Sequence, residues 1–331
     1  MLPLIIGFRE VGEDDLCGWA RANAAHLHQL LVTHGALLFR DFPRASVEQF
    51  QNLVTLLLGS PLAYTERSSP RSKVTDRVYT STEYPPDREI FLHNEQSYNL
   101  NFPRYIAFFC RVAAPRGGET PLGDSRRVLA RIAPSLRDEL VKRRYRYVRN
   151  YGGRLRMSWQ EAFGADVADH VEQYCNSNDI QYEWLDRRGG AHLRTSQTRS
   201  VTARHPISQG SVWFNHLVFF HRSNLDLDLR SLLDELHGPD GAPHATFFGD
   251  GAVIEDPLIA QLREAYRAEE VLFDWRIGDI LLVDNMLVSH GRRPFAGNRS
   301  ILVAMAGPCS WSEVAIGDPS VRSDGAPQRR E

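Results

Sequence analysis

A chain of 331 residues, 42% hydrophobic and 24% charged, has the composition of an ordinary globular protein and the length for one large domain or two small ones. Its net charge of -2 supplies no basic field for nucleic acid, and no apolar run approaches the roughly 20 residues that a bilayer span needs. The N-terminus lacks the basic start and apolar core of an export signal, and Cys17, Cys110, Cys175 and Cys309 show no paired spacing. The expectation is a cytoplasmic protein with free thiols and neither a disulfide framework nor a zinc site.

Glu13 to His34 carries an apolar stripe at helical spacing (Leu16, Ala20, Ala24, Leu27, Leu30, Leu31) and stops at Gly35, after which Ala36 to Phe39 reads as a short strand. Ser46-Val-Glu-Gln49 is a capping box ahead of Phe50, Leu53, Leu57 and Leu58. From Ile90 to Val112 the pattern turns to strand, and Pro115-Arg-Gly-Gly118 breaks it. Ser125 to about Asn176 reads as helical, with Pro134 in a first turn and Ser158-Trp-Gln-Glu161 as another capping box. Hairpin signals return with Tyr182 to Leu185, a turn at Asp186-Arg-Arg-Gly-Gly190, a strand from Leu193, and a Ser208-Gln-Gly210 turn before Val212-Trp-Phe214. Helices at about Leu227 to His237 and Pro257 to Glu269 precede strand-like Val271 to Trp275, Ile280 to Val283 and Ile301 to Ala304. Many short strands with Gly and Pro turns, interrupted by helices, predict a mainly β fold with helical insertions, a double-stranded β-helix or cupin-like jelly roll. It would form a single domain over 1–309 with a helical insert near 125–180, and a flexible tail over 310–331.

A mononuclear non-haem Fe(II) oxygenase needs two imidazoles and one carboxylate on one face of the metal, leaving the other face open. In sequence this is His-x-Asp/Glu plus a distant His. With 12 His and 41 acidic residues in 331, the triplet is expected by chance about once or twice, and this chain has two, His93-Asn-Glu95 and His170-Val-Glu172. The first follows a strand-like run, where residues i and i+2 share a face; the second lies in a helical stretch, where they diverge. His93 and Glu95 are therefore the candidate pair, and His170 with Glu172 the decoy on a solvated helix face. The candidate distant ligand is His290, which an apolar strand delivers to a Gly-marked turn, with Arg299 opening the next strand. A chelating dicarboxylate leaves its far carboxylate buried, and a planar guanidinium pairs with such a group bidentately.

Asn94-Glu95-Gln-Ser-Tyr98, Pro103-Arg-Tyr-Ile-Ala-Phe-Phe-Cys110, Gly117-Gly-Glu-Thr-Pro-Leu122, Tyr147-Val-Arg-Asn-Tyr151, Val212-Trp-Phe-Asn215 and Asp284-Asn-Met-Leu287 through Arg299 together resemble the TauD/TfdA superfamily. Within it the chain is similar to the SyrP-type hydroxylases of nonribosomal peptide pathways, over about residues 30 to 307. The resemblance implies a 2-oxoglutarate-dependent dioxygenase with His93, Glu95 and His290 as catalytic iron ligands. Arg299 would then bind the far carboxylate of 2-oxoglutarate, and Thr120 would be a further co-substrate contact. Many relatives have aspartate where this chain has Glu95, and a second arginine where it has Val303. Because Glu95 keeps the carboxylate whose place a halide takes in related halogenases, the resemblance favours hydroxylation. The cofactor set it implies is Fe(II), 2-oxoglutarate and O2. The implied substrate is an amino acid or an aminoacyl unit, such as aspartyl, tethered to a peptidyl carrier protein in antibiotic biosynthesis.

Other outcomes remain open on the sequence alone: desaturation, epoxidation or oxidation of a small free acid, or a non-catalytic jelly-roll binding protein. Thr120 could instead close the Gly-Gly turn on its own backbone. Trp213 and Asn215 either line a substrate pocket or belong to the core, His216 and His221 read as structural, and Arg292 and Arg293 either bind an acidic group or are solvated. His192 and His205 fall in turns and carry no argument.

Overall fold

The computed structural model describes residues 2–8, 15–43, 46–63, 66, 72–75, 78–81, 84–152, 157–186, 192–238 and 241–316. Two sheets face each other as a double-stranded β-helix. The larger runs, in spatial order, Leu4–Gly7, Ala36–Arg40, Ile280–Asp284, Asn101–Val112, Ser300–Ser310, Val78–Thr80 and Lys73–Thr75, antiparallel throughout except for its first pair. Its central strands read as continuous apolar runs because both faces are covered. Ala36, Leu38, Ile106, Phe108, Leu281, Val283, Ile301 and Val303 point into the space between the sheets. Their neighbours Leu37, Phe39, Ala107, Phe109, Ile280, Leu282, Leu302 and Ala304 point outward, under the N-terminal helices that supply Leu27, Leu31, Phe50, Leu53 and Leu57. Period-two alternation thus sorts one strand's residues between two cores. Truncating a side chain buried on either face, such as Leu282, costs about 2–5 kcal/mol.

The smaller sheet carries the site. Its order is Glu270–Val271, Leu122–Asp124, Val288–Arg292, Ile90–His93. A third sheet, Gln181–Trp184, Leu193–Arg199, Tyr145–Tyr151 and His244–Phe248, stands beside it.

Several sequence expectations change. The first helical stretch is two helices, Leu16–Ala22 and Ala24–His34, because the Asn23 side chain caps the first by donating to the Trp19 carbonyl at 2.9 Å; Glu13 lies outside the described residues. The long strand from Ile90 is also two, Ile90–His93 and Asn101–Val112, which belong to different sheets. The helical insert contains a strand, Tyr145–Tyr151, between the helices Pro134–Arg143 and Trp159–Phe163. Alternate aromatic residues, with poor helix propensity, bury Tyr145, Tyr147 and Tyr151 on one face of it. Of Val271 to Trp275 only Val271 is in a strand; Trp275 turns inward beside Phe273, ring centroids 4.8 Å apart. Packing also runs past residue 310: Ser310 caps the short helix Trp311–Val314, and Trp311 donates to the Ser97 carbonyl at 3.0 Å. The turn over 187–190 lies outside the described residues, and so does 317–331.

All four cysteines are free thiols, and burial pushes the pKa of Cys110 and Cys175 up to about 12 and of Cys309 to about 11, the pattern of inert core thiols. Among the described residues no helix is long and apolar enough to cross a membrane.

Candidate active site

His93 and His290 are direct cross-strand partners in the smaller sheet, so their rings meet with centroids 4.6 Å apart. Glu95 is not in that strand. It lies in the turn that follows, which Asn285 clamps: the Glu95 N–H donates to Asn285 Oδ1 at 2.7 Å, while Asn285 Nδ2 donates to the carbonyls of Glu95 and Pro103 at 2.9 and 2.8 Å. The Asn285 carbonyl in turn accepts from Asn94 Nδ2 at 2.7 Å. The result is that one imidazole nitrogen from each histidine and a carboxylate oxygen of Glu95 all lie within 4.8 Å of one another. His93 Nδ1 is 2.9 Å from the Phe91 carbonyl, which can only accept, so Nδ1 carries the proton and Nε2 keeps its lone pair for a metal. Two imidazoles and a carboxylate converging from one side are the donor set suited to Fe(II) with open positions.

Two chambers meet at His93. The smaller, about 40 Å³, is walled by His93, His290, Phe108, Thr120, Arg299, Ile301 and Val303. Arg299 is half-buried; burial, then Arg292, push its pKa down to about 10, so it remains a cation at neutral pH. Its Nε donates to the Gly118 carbonyl at 3.0 Å, and among the described residues no carboxylate forms an ion pair with it. Gly117 and Gly118 both hold positive φ, and a Cβ on Gly118 would press on the Arg299 side chain at 3.0 Å. The Gly-Gly turn is thus what lets the backbone receive this guanidinium. Thr120 is buried, and its Oγ1 accepts from Trp275 Nε1 at 3.0 Å, which leaves its own O–H to point elsewhere. Val303 and Ile301 make part of this wall apolar.

The larger chamber, about 550 Å³, opens on the other side of His93 and Glu95. Phe220 forms its aromatic centre, stacked against Tyr147, His216 and His244 at 4.6, 5.0 and 4.7 Å. His216 accepts or donates at Nδ1 with Ser97 Oγ at 2.7 Å, and burial holds its pKa well below the ordinary value. Burial, helped by Arg149, brings His244 down to about 3, and burial brings His221 to about 4, so both are neutral imidazoles. His216, His221 and His244 line the chamber, where the sequence reading takes His216 and His221 as structural; no pattern in the sequence marks the three together.

Other candidates fall elsewhere. Trp213 and Asn215 are core residues: Trp213 is fully buried, and Asn215 Nδ2 donates to the Val201 carbonyl at 2.8 Å. Arg292 clasps the carbonyls of Tyr84, Pro85 and Arg88. Arg293 belongs to a ring of alternating charge with Glu89, Arg267 and Glu270. His205, unremarkable in sequence, is fully buried with Nε2 3.0 Å from Asp284 Oδ2, tying the Asp284–Leu287 turn to its neighbours. His170 is exposed on the helix Ala168–Ser177, and Glu172 accepts from Trp184 Nε1 at 2.7 Å. The second triplet is thus split between solvent and a packing contact rather than wholly solvated.

Residues 3–305 match the family described as taurine catabolism dioxygenase TauD, TfdA family. The chain belongs to the TauD/TfdA family. It is 43% identical over 282 residues to the dapdiamide synthesis protein DdaC of Enterobacter agglomerans, covering 85% of each chain. It is 30% identical over 289 residues to a clavaminate synthase-like protein of Arabidopsis thaliana, covering 85% of this chain and 84% of that one. Among solved structures, a taurine dioxygenase from Burkholderia xenovorans shares the fold at TM-score 0.52 and 13% identity, over 90% of this chain and 87% of that one. An asparagine oxygenase in complex with Fe(II), 2S,3S-3-hydroxyasparagine and succinate does so at 0.52 and 15%, over 87% and 79%. As a TauD/TfdA member the protein is a 2-oxoglutarate-dependent dioxygenase, whose reaction needs Fe(II), 2-oxoglutarate and O2.

Proposed function

We propose that His93, Glu95 and His290 hold the Fe(II), that Arg299 receives the far carboxylate of 2-oxoglutarate with Thr120 as a further co-substrate contact, and that the enzyme hydroxylates an amino acid or carrier-tethered aminoacyl unit in cytoplasmic natural-product biosynthesis. The observation that carries this reading is the junction: three donor atoms within 4.8 Å stand where a small cationic chamber meets a large aromatic one. Bound there, Fe(II) with 2-oxoglutarate supplies O2 activation and attack on an unactivated C–H bond. The chain's own work is placement. Asn285 holds the Glu95 turn, the Phe91 carbonyl orients His93, and the Gly118 carbonyl aims Arg299. Arg299 can pair with a carboxylate bidentately, and Phe108, Ile301 and Val303 flank it with apolar surface in a small chamber.

A chamber of about 550 Å³ lies in the range of small-molecule sites, and the biosynthetic setting rests on the likeness to the dapdiamide synthesis protein. Anaerobic titration of the apoprotein with Fe(II) and then 2-oxoglutarate tests the centre. The expected result is the weak visible charge-transfer band of an Fe(II)–2-oxo-acid chelate; a folded protein without the band overturns the assignment.

A further inference from the structure

Three arginines line the larger chamber, and their surroundings differ. Arg267 is bound to both Glu89 and Glu270, at 2.5 and 2.7 Å, and is neutralised there. Arg88 faces Asp226 at 3.7 Å, both side chains largely exposed. Arg263 stands apart. Its Nη2 donates to Ser223 Oγ at 2.6 Å and to Asn224 Oδ1 at 2.8 Å, both neutral acceptors, and among the described residues no carboxylate forms an ion pair with it. The nearest acidic influence is Asp256, which Arg230 already holds at 2.6 Å. Burial makes the charge of Arg263 costlier to keep, as its lowered pKa records; Asp256 offsets this only in part and from a distance, and Arg267 adds to it.

The seat of this guanidinium is rigid. Asn224 Nδ2 donates to the carbonyls of Val218 and Phe219 at 2.8 and 2.7 Å, which leaves Oδ1 aimed at Arg263. Ser223 is fixed through His221: the His221 Nδ1 accepts the Ser223 N–H at 3.1 Å and meets its hydroxyl at 2.8 Å, while Nε2 donates to the Ile254 carbonyl at 2.9 Å. A buried neutral histidine, a hydroxyl and an amide therefore hold one edge of a cation whose charge is left for something in the chamber. His93 and Glu95 line that same chamber.

We infer that Arg263 binds an oxyanion of the substrate, at a point other than the carbon that is oxidised, and thereby selects anionic substrates. The inference rests on the reading of the larger chamber as the substrate site. The oxyanion has two possible sources with the same chemistry, the carboxylate of a free amino acid and the phosphate of a carrier's phosphopantetheine arm. Arg is suited to both because its planar fork matches either group bidentately.

The test is anaerobic calorimetric titration of the full chain loaded with Fe(II) and 2-oxoglutarate, using two pairs of probes: L-aspartate against its dimethyl ester, and 4′-phosphopantetheine against pantetheine. In at least one pair the anionic member should bind about tenfold or more tightly than its uncharged-end counterpart, and the pair that discriminates identifies the source. Arg263→Gln should abolish that preference and Arg263→Lys restore part of it, with the charge-transfer band unchanged in both. Equal affinity within both pairs, no binding by any probe, or a preference that survives in Arg263→Gln overturns the inference. Should the glutamine variant fail to fold, Arg263→Lys decides: its preference should fall clearly below that of the wild type, and an unchanged preference overturns the inference. A band without discrimination sinks this inference only, whereas discrimination without a band sinks the metal assignment and leaves Arg263 standing.

Discussion

The chain holds two His-x-Glu triplets of the same residue types at the same spacing, separated in the sequence only by their strand-like and helical surroundings, and the fold treats them oppositely. At 93–95 a strand ends on the histidine and a clamped turn brings the glutamate back beside it, with a second histidine directly across the sheet. At 170–172 the helix Ala168–Ser177 sends the histidine into solvent and the glutamate to the indole of Trp184 and the hydroxyl of Tyr182, at 2.7 and 3.3 Å. A metal site therefore needs more than ligand types at short spacing. It needs a backbone that aims their lone pairs at one point, and a third donor that only long-range pairing can supply.

The largest effect should come from breaking the first triplet. His93→Ala or His290→Ala is expected to abolish both turnover and the charge-transfer band while the far-ultraviolet circular dichroism stays native. A variant that kept full iron content and activity would show that the ligands lie elsewhere. Next comes the chamber beside it: Arg299→Ala should raise KM for 2-oxoglutarate about 10- to 100-fold, the worth of a charge-assisted bidentate contact, with a smaller change in the affinity for iron. An unchanged KM would remove Arg299 from the co-substrate site.

A smaller effect concerns acid stability. His221 has its pKa pushed down to about 4 in the folded protein, while an unfolded histidine titrates near 6.5. Between those values the unfolded chain binds the extra proton, so stability is full above about pH 6.5 and falls with pH, by up to about 1.4 kcal/mol per unit, until His221 protonates in the fold. Melting temperature measured from pH 7 to 4.5 should therefore drop more steeply in the wild type than in His221→Gln; parallel curves would contradict it. The smallest effect sharpens the comparison from the other side. His170→Ala should match the wild type in iron content and in activity, and in stability within about 0.5 kcal/mol, because the side chain is exposed. Loss of iron in that variant would reverse the roles of the two triplets.

Much of the architecture was legible because it rests on local rules. The Ser46 and Ser158 caps were readable as sequence boxes, and each hydroxyl accepts the N–H three residues on, at 3.1 and 3.2 Å. The apolar runs Ala36–Phe39, Ile280–Val283 and Ile301–Ala304 read as strands, and each lies inside an observed one, because short continuous apolar runs fit a sheet covered on both faces. What failed was reading that depends on partners. Tyr145–Tyr151 passes for part of a helix until the flanking strands Leu193–Arg199 and His244–Phe248 are in place on either side. Trp311 looks like the start of a polar tail, yet the Ser97 carbonyl and the aromatic rings of Phe102 and Phe214 await it.

By itself the sequence determined the chemistry on offer and the local geometry: two imidazoles, a carboxylate and an arginine, set on or beside strands whose alternation is a property of the backbone. Only the tertiary structure decided which of them meet. Register across the sheet put His290 opposite His93, Asn285 reached back from residue 285 to hold Glu95, and the packing of the helix Asp256–Ala268 against the His221–Leu225 segment set Arg263 in the chamber wall. These are contacts between residues far apart in the chain, made by burial and by hydrogen bonds that must be satisfied once water is gone, and no short stretch of sequence contains both halves of them.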